Sequence, residues 1–191
     1  MLTSTFFELG GTRYYFYWNG HLYMDSEFDI CSENGEYEGT YRADKNGKII
    51  TGWYDNDQYY GQDGKKQKGI VKIKDEYYYF DYNGFLETNR NVEEYQANGE
   101  TVYYRTDEKG RLVQGIYTDE AGDTCYYGND FKRKSGIFTV NGKTYCFQPF
   151  LMKDYVTTEN GYLYYFDEKG ELSKKSKITK DRWYTENDQD Y

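Results

Sequence analysis

The chain contains one histidine, one proline and three cysteines among its 191 residues. Because His21 is the only imidazole, a histidine-rich metal site is excluded, and one weak candidate remains for a nucleophile and base pair. Cys31, Cys125 and Cys146 are odd in number, so they cannot all be paired within the chain, and no C-x-x-C spacing of the zinc-binding kind occurs. The scarcity of these residues argues against metal-dependent and nucleophilic catalysis.

Other sequence signatures of enzymes and ion sites are also missing. The 33 acidic residues make chance carboxylate pairs common, so Asp55 and Asp57 carry almost no weight as a glycosidase pair. The segments that begin at Asp44 and Asp81 resemble calcium loops, but both lack the glutamate at the twelfth position and fit turns instead. No glycine-rich loop that could bind phosphate is present. We predict no catalysis, no metal site and no cofactor.

Long apolar runs and positive charge are scarce as well. No stretch approaches the roughly 18 apolar residues of a membrane span, and residues 1–7 lack the basic and hydrophobic regions of a secretion signal. The net charge is −9 and the isoelectric point is near 4.8, a balance that repels phosphate backbones. We therefore expect neither a membrane span nor a nucleic-acid partner.

Aromatic residues, in contrast, are abundant: they make up 21% of the chain and include 26 tyrosines. They recur in clusters with steps of 18 to 27 residues, and no helical period of apolar residues persists. Such recurrence marks a repeat architecture in which each unit buries its apolar face against its neighbours. The nine clusters are centred on Tyr14, Tyr41, Tyr59, Tyr78, Tyr103, Tyr126, Tyr145, Tyr164 and Trp183.

A short turn precedes each cluster, and a second turn, usually closed by glycine, follows it. In the clearest repeat, a strand at 136–140 is followed by the turn Asn141-Gly142 and a strand at 143–147. Asn-Gly favours a tight hairpin because both central residues must take positive φ. Asp75-Glu76 is predicted as the corresponding turn of its own repeat. Each repeat is therefore predicted to be a β-hairpin.

An isolated hairpin is marginal in water, so the aromatic rings must stack between successive hairpins. The predicted fold is all-β, a β-solenoid of about nine stacked β-hairpin repeats of roughly 20 residues. It forms a single repeat array over residues 1–191. Because the chain starts inside one repeat and ends inside another, we expect it to be an excerpt of a longer protein.

The repeat register also places two of the cysteines. Cys125 and Cys146 are expected on the same face of neighbouring hairpins, where they could lie close to each other. We predict buried free thiols, since a free cysteine packs as a small apolar side chain.

The repeats resemble the cell wall-binding repeat, whose pattern is glycine, an aromatic or aliphatic residue, a short turn, an aromatic pair and a closing glycine. The pattern is clearest in residues 69–84 and recurs at 52–64, 136–147 and 161–170, whereas 21–40 and 85–101 fit it worst. The family includes choline-binding modules, glucan-binding domains of glucansucrases and the receptor-binding ends of large clostridial toxins. This resemblance implies stacked hairpins with ligands in shallow grooves between them.

The residue after the leading glycine distinguishes these ligand types. A choline site needs three aromatic faces around the quaternary ammonium, and this leading column is mostly aliphatic here. Only Trp53, with Tyr77 and Tyr78 of the next hairpin, could build such a cage, which argues against repeated choline binding. The leading column reads Trp53, Ile70, Ile116 and Ile137.

The leading hypothesis is a non-catalytic, extracellular or cell-surface module that attaches a larger bacterial surface or secreted protein to a polysaccharide. The expected ligand is an α-glucan or another neutral glycan, because tyrosine faces beside amides and carboxylates offer both stacking and hydrogen bonds. A protein-interaction or spacer module, with a protein receptor as partner, and a choline-type cell-wall anchor are the alternatives. The candidate ligand-binding residues are Trp53, Tyr77, Tyr78, Gln58, Asp57, Trp18 and Trp183.

Overall fold

The computed structural model describes residues 4–179, and within this range every regular element is a β-strand. The all-β prediction is therefore confirmed. No helix in the described range is long and apolar enough to cross a membrane. The chain divides into two compact units, one containing residues 4–90 with 106–112 and the other 91–105 with 113–179.

The first unit contains four antiparallel hairpins, formed by consecutive strands of its described residues. The pairs are β1 (Thr5–Leu9) with β2 (Thr12–Phe16), β3 (Ser26–Cys31) with β4 (Tyr37–Ala43), β5 (Gly52–Tyr54) with β6 (Gln58–Tyr60), and β7 (Gly69–Ile73) with β8 (Glu76–Phe80).

The second unit also contains four hairpins in its described part, and two of them gain a third strand. They are β9 (Asn91–Tyr95) with β10 (Thr101–Arg105), β11 (Gly115–Thr118) with β12 (Thr124–Tyr127) and β13 (Arg133–Lys134), β14 (Gly136–Val140) with β15 (Lys143–Phe147), and β16 (Tyr155–Glu159) with β17 (Tyr162–Phe166) and β18 (Leu172–Lys177).

Tight turns close the hairpins where glycine and asparagine predict them. Asn141 and Gly142 have φ of 51° and 79°, as the two central residues of such a turn require, so the predicted strands of that repeat are confirmed. The turn predicted at Asp75-Glu76 is wrong by one residue. Ile73 pairs with Glu76, and Lys74 takes the positive φ of 56°.

In four of the described repeats an aspartate organises the second turn. Asp44 Oδ1 accepts hydrogen bonds from the backbone N–H groups of Asn46 and Lys48, at 2.8 and 2.9 Å. The N–H of Gly47 donates to the Asp44 carbonyl at 2.9 Å. These segments therefore use the aspartate to satisfy backbone donors, which accounts for their superficial likeness to calcium loops. The same arrangement starts at Asp81, Asp107 and Asp167.

Backbone hydrogen bonds join successive hairpins within each unit. In the first unit, the second residue after each loop glycine donates to the hairpin before it, as Leu86 does to the Asp57 carbonyl at 2.7 Å. In the second unit, Leu151 donates to Thr124 at 2.8 Å. The next loop glycine packs on this residue: a Cβ at Gly110 would lie only 2.6 Å from the Leu86 side chain. This contact repeats from hairpin to hairpin and holds them in order.

Apolar burial is distributed in clusters between neighbouring hairpins. In the first unit Phe28, Tyr41 and Ile49 belong to one cluster, against which Phe6 and Tyr15 pack. In the second, Cys146, Tyr164 and Phe166 form another. Each cluster draws its members from more than one hairpin, so the stacking of hairpins supplies the burial that a single hairpin lacks.

The cysteines confirm one expectation and correct another. Cys125 and Cys146 are buried free thiols, and burial raises the pKa of both. They do not share a face, however. In the strand register, Cys125 lies opposite Tyr117, whereas Cys146 lies opposite Ile137. Ile137 is equivalent to Ile116, the residue before Tyr117. Because faces alternate along a strand, this one-residue difference turns the two thiols to opposite faces.

Candidate functional site: two grooves between hairpins

The face of the hairpin on which a side chain lies determines which of the predicted ligand residues can contact each other. In the β5–β6 hairpin, Trp53 is paired with Tyr59, and Tyr54 is paired with Gln58. Paired residues project from the same face and adjacent residues from opposite faces. Trp53 and Gln58 therefore lie on opposite faces, and the structure does not bring them together.

Trp53 lies against rings of its own hairpin and the next one. Its ring centroid is 5.4 Å from that of Tyr59, 5.3 Å from Tyr78 and 5.7 Å from Phe80. The first two contacts are edge-to-face, the geometry that aromatic pairs prefer. Trp53 is nevertheless 40% exposed. We call these four residues the Trp53 groove.

Tyr77 and Tyr78 face in opposite directions because they are neighbours on β8. Tyr78 is turned toward Trp53, whereas Tyr77 shares its face with its pairing partner Lys72, whose ammonium lies 5.5 Å from the Tyr77 ring centroid. Of the two predicted tyrosines, only Tyr78 contacts Trp53.

Gln58 and Asp57 are engaged within the protein. Gln58 is 8% exposed, and its side-chain carbonyl accepts a hydrogen bond at 3.3 Å from the hydroxyl of Tyr60, a fully buried residue. Gln58 Nε2 donates to Asp57 Oδ1 at 3.5 Å. Hydrogen bonding of this kind satisfies buried polar groups. These two side chains are placed to support the hairpin interior.

A carboxylate fixes the Tyr78 phenol at the edge of the Trp53 groove. The Tyr78 hydroxyl donates to Glu76 Oε2 at 2.8 Å, and Arg111 donates to Glu76 Oε1 at 2.7 Å. Arg111 is also paired with Asp107 at 2.7 Å. Hydrogen bonds from Arg111 and Tyr78 lower the pKa of Glu76. Arg111 could not be predicted as the partner of Glu76 from local sequence patterns, because 35 residues separate the two.

Two predicted tryptophans lie away from this groove or beyond the described range. Trp18 is in the loop after β2, is 71% exposed and has its ring 6.3 Å from that of Tyr17. Its exposure fits a surface platform. Within the described residues, however, its ring contact is with Tyr17, and no ring from another hairpin packs against it. Trp183 lies outside the described residues.

A second groove lies between the β11–β12 and β14–β15 hairpins and has a volume of about 700 Å³. Ile116 is paired with Tyr126 as Trp53 is with Tyr59, and Tyr145 occupies the position of Tyr78. We call this site the Ile116 groove. Its lining residues are Gln114, Gly115, Ile116, Tyr126, Asn129, Val140, Asn141, Lys143 and Tyr145.

The Ile116 groove combines an apolar floor with a polar rim. The Tyr126 ring is tilted against Phe138, with centroids 4.7 Å apart, and stacked on Phe147 at 5.8 Å, so aromatic rings support the floor. Gln114 Nε2 donates to the Asn129 carbonyl at 3.0 Å, which orients an amide at the edge. The lining is more polar than apolar, so the groove offers hydrogen-bonding groups around its aromatic surface.

The rim charges of the two grooves are reversed. Lys143 occupies the position of Glu76, four residues before the closing Phe147 and Phe80 respectively. Lys143 is paired with Glu171 at 2.6 Å, just as Glu76 is paired with Arg111. The partner in each case directly follows the loop glycine of the next repeat. Pairing with Glu171 raises the pKa of Lys143.

Sequence comparisons connect the chain with two large proteins. It is 29% identical over 139 residues to Glucosyltransferase-S of Streptococcus mutans serotype c, a match that covers 69% of this chain and 9% of that protein. It is 29% identical over 151 residues to Glucosyltransferase-I of Streptococcus downei, covering 74% and 8% respectively. The chain thus spans less than a tenth of each relative. No family model matches it.

A structural comparison adds a likeness in fold. Choline binding protein F from Streptococcus pneumoniae superposes with a TM-score of 0.64 and 24% identity, over 90% of this chain and 57% of that one. The sequence and structural matches together confirm the resemblance of the repeats to the cell wall-binding type.

Proposed function

We propose that this chain, which is built of cell wall-binding repeats, is a non-catalytic module that binds a polysaccharide. The observation that carries the proposal is the Ile116 groove, where the faces of Tyr126 and Tyr145 lie beside the amides of Gln114 and Asn129. Sugar rings present flat C–H faces that stack on such rings, and their hydroxyls pair with amides and phenols. The groove offers both kinds of contact in one place.

An α-glucan or another neutral glycan is the ligand that we infer. Two relatives are named glucosyltransferases, and the chain matches a small part of each, which supports a role as a module within a larger protein. Single grooves of this shallow kind bind weakly. Linked sites compensate because they raise the effective concentration into roughly the mM range.

The same proposal includes the arrangement of the repeats, the larger protein that contains them and its location. We infer that the hairpins stack as a β-solenoid of about nine repeats, in a single array that forms part of a longer surface or secreted protein. Its location would then be extracellular or at the cell surface, where polysaccharide is accessible.

A choline-type anchor is the second candidate, and one observation favours it at a single place. The Trp53 groove brings the Trp53 ring together with those of Tyr59, Tyr78 and Phe80, and aromatic faces suit a quaternary ammonium. The other grooves carry isoleucine in the leading column, so repeated choline sites are not favoured. A protein-interaction or spacer role would instead require one contiguous apolar patch of several hundred Å².

Retention on insoluble α-glucan tests the function directly. Tyr145→Ala should weaken retention by about 1 to 3 kcal/mol, by analogy with stacking measured on nucleic-acid bases. Tyr82→Ala is the matched control, because Tyr82 is 82% exposed in a loop outside both grooves. Equal retention of the two variants, with melting temperatures unchanged, would contradict glycan binding in the Ile116 groove.

A further inference from the structure

Each groove carries one ionised rim residue whose partner comes from the following repeat. Of the nine residues that line the Ile116 groove, Lys143 alone carries a charge. Its Nζ lies 2.6 Å from Glu171 Oε1. At the Trp53 groove, Glu76 Oε1 lies 2.7 Å from Arg111 Nη1. The two pairs use equivalent positions with opposite polarity.

The partners are held in place by their own loops. The backbone N–H of Glu171 donates to Asp167 Oδ1 at 2.8 Å, and that of Arg111 donates to Asp107 Oδ1 at 2.9 Å. Because the loops are fixed in this way, each partner is presented to the rim of the groove before any ligand arrives. Because both charges are reversed together, the rim of each groove keeps a pair of opposite charges.

We infer that Glu171 and Arg111 are specificity-determining residues: by pairing with Lys143 and Glu76 at the groove rims, they make both grooves selective for uncharged polysaccharide. The inference rests on the proposed function and adds the substrate class to it. A free ammonium at Lys143 would favour carboxylate or sulfate groups on a glycan. A free carboxylate at Glu76, beside Trp53 and Tyr78, would favour cationic groups.

The test uses one polymer backbone in three charge forms: dextran, dextran sulfate and diethylaminoethyl-dextran. The variants are Glu171→Gln and Arg111→Gln. Because net charge alone alters binding to a charged polymer, each is compared with a control of the same net charge in the same loop. Glu168→Gln controls for the first and Lys109→Gln for the second, since both residues are exposed and neither forms a side-chain ion pair within the described residues.

At low salt, Glu171→Gln should bind dextran sulfate about two- to fivefold more tightly than Glu168→Gln, the range expected when a partly exposed ion pair is lost. Arg111→Gln should show the same gain over Lys109→Gln on diethylaminoethyl-dextran. Arg111→Lys, which keeps a cation, should show none. Binding of neutral dextran should stay within about twofold in all variants.

Two results distinguish failure of this inference from failure of the proposed function. Equal binding of charged dextrans by each variant and its control would overturn the inference, even if neutral dextran is retained. Loss of retention on every neutral glycan by the unaltered protein would overturn the proposed function. A gain confined to Glu171→Gln and Arg111→Gln would still support the assignment of the rim pairs.

Discussion

The Trp53 groove and the Ile116 groove have the same frame but different contents. Tyr59 corresponds to Tyr126, and the closing Phe80 to Phe147, which are both fully buried. The difference is the leading residue. Trp53 lies within 5.3 to 5.7 Å of the next hairpin's rings, whereas Ile116 leaves a space of about 700 Å³. We attribute this difference in open space to the size of the leading side chain.

This comparison changes the interpretation of Trp53 as a ligand platform. A large exposed ring is a natural candidate platform, yet here it fills part of the space that a ligand would need. The shorter aliphatic residue contributes less surface but leaves open space beside Tyr126 and Tyr145. Affinity in such repeats should therefore depend on the tyrosines that the leading residue uncovers.

The largest expected effect concerns the shared floor. Phe80→Ala and Phe147→Ala each remove a fully buried ring, and each should lower the free energy of unfolding by about 3 to 5 kcal/mol. Chemical denaturation of the two variants measures this. If the floors are equivalent, the two losses should agree to about 1 kcal/mol; a much smaller loss at one of them would break the comparison.

A smaller loss is expected at Trp53. Because 40% of this residue is exposed, Trp53→Ala should cost about 2 kcal/mol of stability, roughly half the value for a buried ring. Retention on α-glucan should be kept or increased, since the Ile116 groove is untouched and removal of the indole opens the Trp53 groove. Thermal melting and glucan retention on the same variant provide the measurement. Loss of all retention without loss of stability would make Trp53 the platform.

The rim of the Trp53 groove should respond to acid. The pKa of Glu76 is lowered in the folded protein, so this carboxylate stabilises the fold above its unfolded pKa. That contribution is lost as the pH falls through the folded pKa. NMR titration should place the Glu76 midpoint below that of an ordinary glutamate. In Arg111→Gln the midpoint should rise; an unchanged midpoint would show that Arg111 does not hold it.

Much of the fold follows from local sequence signals. The Asn141-Gly142 turn and the alternation around it predict strands 136–140 and 143–147 to the residue, because backbone preference and burial agree there. The turn at Lys74-Asp75 was harder to predict. Lysine rarely takes positive φ, and the register of the whole hairpin imposes it.

The candidate site was harder to predict, because the face on which a side chain lies depends on the register of the strand pairing. Aligning repeats by the first tyrosine of each doublet placed both Tyr77 and Tyr78 beside Trp53, whereas the pairing of the leading Gly69 with Phe80 turns only Tyr78 toward it. A slip of one residue exchanges the two faces of a strand. The same one-residue error in alignment explains why Cys125 was predicted to share a face with Cys146. The rim pairs join residues 28 and 35 positions apart, which no local pattern encodes.

The reciprocal exchange of Trp53→Ile and Ile116→Trp tests the central claim most directly, with retention on insoluble α-glucan as the readout. If the leading side chain sets the open space, Ile116→Trp should lose most retention and Trp53→Ile should gain it, while both melting temperatures stay within a few degrees. The double variant should bind about as well as the unaltered protein. Full retention by Ile116→Trp, or loss of retention by Trp53→Ile, would contradict the account.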